Sequence, residues 1–152
     1  MRKRSSYRPR RVLVNPLAYA LESISPVSGH GDFLIDAKIR NSMAFADIMA
    51  GRGDRHSINV LVAVNNITHA FFMMGRGTEY AAICMASKEA LTGLMSRFLS
   101  TASATLRGAE IVAIQDLMEL HNAMLETATV GDVERAQVLA IRATKTRVEA
   151  CA

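Results

Sequence analysis

Asn65 and His69 stand four residues apart in a long apolar run, a spacing that sets two side chains one turn apart on one helix face. Buried there, they form a hydrogen-bonded polar network that fixes helix register, because an unsatisfied buried polar group costs about 1–3 kcal/mol. The functional alternative is a small polar pocket inside a helical bundle. His121 falls in line with Ile114, Leu117 and Leu125, so it too is expected in the interior, beside Asp116, Glu119 and Glu126 on the polar side of the same segment. Acid–base or metal chemistry needs more than this. A di-metal bundle uses Glu-x-x-His, and the residues three before His69 and His121 are Asn66 and Met118. His69 has no evident nucleophile to activate, and phosphate-loop, zinc-protease, nucleophile-elbow and kinase signatures are absent from the sequence. The expectation is a non-enzyme without metal or cofactor.

Gly51-Arg52-Gly53-Asp54 recurs twenty-four residues later as Gly75-Arg76-Gly77-Thr78. Each copy precedes a predicted helix N-terminus, which makes Arg52 and Arg76 candidate anion contacts. The plainer reading is punctuation: a glycine past the end of one helix, then Asp or Thr capping the next. The intervening helix, about 54–74, is roughly 30 Å long at 1.5 Å per residue. The two loops therefore lie at its opposite ends, too far apart for the arginines to share a ligand within one subunit. Arg52-Gly53-Asp54 matches the adhesion tripeptide in letters only. Cys84, on an apolar stripe, reads as an inert core thiol, and Cys151 as an exposed one. Two such cysteines make no disulfide framework, so a reducing compartment, the cytoplasm, is expected.

Charge is the most uneven property of the chain. Arg2, Lys3, Arg4, Arg8, Arg10 and Arg11 place six of its eighteen basic residues in the first eleven positions, and no acid precedes Glu22. Setting those six aside leaves twelve basic against fourteen acidic residues, so the high isoelectric point belongs to an arm and not to the fold. Pro9 interrupts any helix there. Arginine forks suit phosphates, and Tyr7 can stack on a base. Nucleic acid is the first expected partner, with the six cations on its backbone and Tyr7 completing the set of seven binding side chains. An acidic protein surface is the second. A solubilising tail or an organellar transit peptide would share the composition.

These groups need elements to hold them. Half the residues are apolar, alanine, leucine and methionine abound, and only three prolines occur, which favours helices. Asn15 caps a helix opened by Pro16, with Leu17, Ala20, Leu21 and Ile24 as its stripe. Asp32 is read as the cap of a second helix running to about Ala50, with Ile35, Ile39, Met43 and Ala46 facing inward. The third helix is apolar around most of its circumference and belongs at the centre. A fourth runs from Thr78 to about Leu99, with Cys84, Leu91 and Leu94 inward. After a turn at 100–103, a fifth reaches Thr127 through Ile111, Ile114 and Leu117. Thr129 and Asp132 resemble a capping box for a last, alanine-rich helix over 130–147.

The sequence thus predicts an all-α, single-domain bundle of five to six antiparallel helices over 15–148, a flexible basic arm at 1–14 and a tail at 149–152. The run 58–74 carries Asn59, Asn65, Asn66 and His69, too polar for lipid, so no membrane span is expected. Function is expected to be a non-catalytic accessory or regulatory binding module. The alternative is a protein-interaction adaptor or inhibitor using a Met- or Ala-rich helical face, and a homo-oligomer is compatible with both.

Overall fold

The computed structural model describes residues 15–150, with side chains described through residue 144. Within that span the protein is an all-α bundle of six helices: α1 (Pro16–Ile24), α2 (Gly31–Met49), α3 (Arg55–Met73), α4 (Ala81–Thr101), α5 (Gly108–Thr127) and α6 (Val130–Ala150). Short 3-10 turns at Val27–Gly29 and Thr78–Tyr80 complete it, and no strand occurs among the described residues. The arm, 1–14, lies outside them. α6 continues past residue 148, so helix replaces the first part of the expected tail. No described helix is long and apolar enough to cross a membrane.

Local chemistry explains most boundaries. The Asn15 side chain accepts from the Ala18 amide at 3.0 Å, with Pro16 at the first helical position. Asp54 accepts from the Ser57 amide at 2.8 Å and from its hydroxyl at 2.9 Å, and these bonds hold the Asp54 carboxyl below its usual range. Thr129 and Asp132 form the reciprocal box, Thr129 N–H to Oδ2 at 3.1 Å and Asp132 N–H to Oγ1 at 3.2 Å. Gly51 and Gly75 end their helices at φ 72° and 80°, in the left-handed region. Gly53 serves a close approach instead, since a Cβ there would lie 2.6 Å from Ile48 Cγ1. Two expected caps differ. α2 is preceded by His30, which makes no side-chain cap bond, and Asp32 sits in its first turn. Thr78 opens a 3-10 turn, and Tyr80 stands at the start of α4.

α3 is the central element, packed against α2, α4, α5 and α6. The core divides into two apolar clusters along it. Ile48, Ile58, Leu61, Leu91, Leu94 and Ile114 belong to the first, and Val27, Ala70, Phe71, Leu125, Val133 and Ala136 to the second. Burying each large aliphatic side chain contributes about 1.5–3 kcal/mol.

Two helices orient otherwise than their sequence pattern suggests. α2 packs through Asn41, Ala44 and Ile48, with Leu34, Ala37 and Phe45 half-buried beside them, while Ile35, Ile39, Met43 and Ala46 are exposed. The packed side brings Leu34, Phe45 and Ile48 to the two clusters along with Asn41 and Ala44, so it has large apolar side chains of its own to bury. α1 has no buried residue. It lies along α6 with Tyr19 and Ser23 toward it, while Leu17, Leu21 and Ile24 face out.

Candidate functional site

Between the two apolar clusters the core carries a polar layer. On α3, Asn65 and Thr68 are both buried, one turn apart. Asn65 Oδ1 accepts from the Ser87 hydroxyl at 2.8 Å and from the Cys84 thiol at 3.2 Å, both on α4. Thr68 Oγ1 donates to the Val64 carbonyl at 2.9 Å and meets His121 Nδ1 of α5 at 3.1 Å. A hydroxyl has one proton, and Val64 takes it, so we assign the imidazole proton to Nδ1, donating to Thr68. Every buried described side-chain nitrogen or oxygen has a partner. Burial pushes the His121 imidazole down to about 4, which leaves it neutral at physiological pH. Burial also pushes the Cys84 thiol up despite the nearby Lys88, the opposite of what a reactive thiolate needs.

The expected trio of Asn65, His69 and His121 is therefore split. Asn65 and His121 are buried, in separate hydrogen-bond pairs on successive turns of α3. His69 is exposed, stacked edge-on against Phe72 with ring centroids 6.4 Å apart. Its placement corrects the sequence expectation, for a physical reason: a four-residue step advances about 40° around the helix, enough to leave the covered arc. Thr68 and Ser87 complete the layer and were not anticipated. Ser87 had a readable signal, standing in register with Cys84, Leu91 and Leu94, where a small polar residue needs a buried partner.

The two arginines of the repeated loops differ as well. Arg52 makes a single exposed pair with Asp47 at 3.2 Å. Arg76 is committed on three sides: to Asp132 Oδ2 at 2.5 Å, to the Thr127 carbonyl at 3.0 Å, and over the Phe71 ring at 6.0 Å. Burial acts to raise the Asp132 carboxyl, but its Thr129 bonds and then the charges of Arg76 and Arg135 hold it below the usual range. Arg97 does similar work at the α4–α5 turn, clasping both carboxylate oxygens of Glu110, at 2.9 and 2.5 Å, and the Thr105 carbonyl at 3.0 Å.

Two surface grooves flank α6. One, of about 590 Å³ between α1 and α6, is lined by Tyr19, Ser23, Glu134 and Arg135, with the Tyr19 hydroxyl donating to Glu134 at 2.9 Å. The other, of about 500 Å³ between α3 and α6, is lined by Ala63, Ile67, Ala140 and Ile141. Neither groove includes Asn65, His69 or His121. No group of three or more His, Cys, Asp or Glu side chains converges as a metal site among the described residues. The seven arm residues, Arg2, Lys3, Arg4, Tyr7, Arg8, Arg10 and Arg11, lie outside the described span. Comparison with family models, curated proteins and solved structures finds no match to this chain.

Proposed function

We propose that this protein is a non-catalytic binding module whose basic N-terminal arm engages an anionic partner, nucleic acid first. The observation that carries the reading is how charge divides between arm and bundle. Lys38, Arg52, Arg76, Arg97 and Arg135 are each ion-paired to a carboxylate of the bundle itself. The bundle thereby offsets much of its own positive charge, and the chain from residue 15 on carries more acids than bases. Residues 2–11 hold six cations with no acid among them. A block of that kind neutralises phosphates and releases their counterions, which gives tight, sequence-poor and salt-sensitive binding.

The test is a salt titration of binding to labelled single- and double-stranded oligonucleotides, run on the full chain and on a form lacking residues 1–11. Six phosphate contacts predict a slope of log affinity against log salt of roughly −5 on duplex DNA. Deletion should remove the slope while helicity and melting stay nearly unchanged. Equal binding by the truncated form, or no binding by the full chain at low salt, sinks the reading.

A further inference from the structure

α2 has two apolar faces on opposite sides of one helix. The inner face, with Asn41, Ala44 and Ile48, packs into the bundle. The outer face carries Ile35, Ile39 and Met43 at four-residue steps, 55%, 51% and 60% exposed, with Ala46 continuing the row. Side chains four apart form one ridge, so this is a continuous apolar strip over three turns and not scattered surface residues. Asp36 and Arg40 lie along one edge of that strip, one turn apart, and neither makes an ion pair among the described residues.

We propose that a second copy of this chain covers the outer face of α2, the two helices running antiparallel about a two-fold axis close to Ile39. The sequence of the strip is nearly palindromic about that residue. Under the two-fold, Ile39 meets its own counterpart and Ile35 faces Met43 of the other copy. An antiparallel two-fold keeps each edge on its own side, so Asp36 of one copy and Arg40 of the other share an edge, twice. They are offset by about 3 Å along the helices, within reach of the long arginine side chain. A parallel pairing brings the Asp36–Arg40 edge against the opposite edge, with Ser42 and with Lys38, whose ammonium is already paired to Glu126 within the bundle. A near-antiparallel crossing of about 20° sets the two strips against each other along mid-helix, where these residues lie. One such crossing buries less than the roughly 1,200 Å² of a standard stable interface, so the dimer is weak and concentration-dependent. This pairing is independent of the arm and its partner.

The experiment is sedimentation velocity on the nuclease-treated full chain, from low-micromolar to submillimolar concentration. The wild-type chain should show a reversible monomer–dimer equilibrium. Ile39→Asp should weaken it at least about tenfold, and Asp36→Arg or Arg40→Asp alone should weaken it by setting like charges together. Asp36→Arg combined with Arg40→Asp should restore association, because both reciprocal pairs are re-formed with reversed sign. All four variants alter exposed positions, and unchanged helicity and melting confirm that they fold. A monomer at every concentration overturns the proposal. So does a dimer indifferent to Ile39→Asp, or a double variant no stronger than the single ones.

Discussion

His121 of α5 and Thr68 of α3 meet through a 3.1 Å hydrogen bond in the polar layer that separates the two apolar halves of the core. Neither residue is long enough to reach solvent from that position, so the imidazole has one dry, neutral environment. The bond ties helices α3 and α5 at a fixed height, in a way that interchangeable aliphatic contacts do not.

Acid sensitivity follows from that burial. Above pH 6.5, His121 is neutral in folded and unfolded chains alike, and stability does not depend on its proton. As pH falls from 6.5 to about 4, the unfolded chain binds a proton that the folded one refuses, and stability drops by about 1.4 kcal/mol per pH unit. The total loss is about 3 kcal/mol, and His121 adds nothing further below pH 4. Urea unfolding of wild type and His121→Leu at pH 7, 5 and 4 measures this. An equally steep decline in the variant would place the acid sensitivity elsewhere.

Much of the fold was legible because its punctuation is local. Asn15 with Pro16, Asp54 with Ser57, and Thr129 with Asp132 work within three or four residues, so the letters alone place them. The orientation of α2 was not legible. Ile35, Ile39 and Met43 form one apolar stripe, Leu34, Phe45 and Ile48 form another around Asn41 and Ala44, and only the second is covered. Hydrophobic pattern says that a face wants cover, and only the shape of α3 decides which face receives it within this chain. The polar layer was half legible for the same reason. Asn65 and His121 sat on apolar stripes, but their partners Ser87 and Thr68 lie on other turns and helices, at separations of 22 and 53 positions.

The Asn65 pair predicts an asymmetry. Asn65→Leu leaves the Ser87 hydroxyl with only the Cys84 carbonyl at 3.1 Å and forces a new shape into a full site, at about 2–3 kcal/mol. Ser87→Ala costs about 1 kcal/mol, because the Cys84 thiol still donates to Asn65. Chemical denaturation of both variants reads the order, and a larger loss for Ser87→Ala would contradict this network.

The duplicated Gly-Arg-Gly letters do unequal work. Arg76→Ala removes the clasp on Asp132 and Thr127 and should lower stability by about 1–2 kcal/mol, moderated by partial exposure of the guanidinium. Arg52→Ala should fall within about 0.5 kcal/mol of wild type. Melting curves of the two variants side by side decide it.

Gly131 sets how close α1 comes to α6. A Cβ at this position would lie 2.8 Å from the Ser23 carbonyl oxygen and 3.1 Å from its Cβ. Gly131→Ala should therefore push α1 outward, at about 1–3 kcal/mol, and break the Tyr19–Glu134 bond. Limited proteolysis should then cut within 16–24 faster than in wild type, with α3 to α5 still protected. An unchanged cutting rate would show that α1 tolerates the methyl.

Backbone hydrogen bonds from Val27 to Ala128 and from Val130 to Ser25 join parts of the chain about a hundred positions apart. Closing so long a loop repays its entropy only once α2 to α5 are in place. If this clasp opens and the Tyr19–Glu134 bond is broken as well, the nine residues of α1 span about 30 Å when extended against about 13 Å as helix. The clasp therefore helps set where Asn15, the first described residue, is held against the bundle.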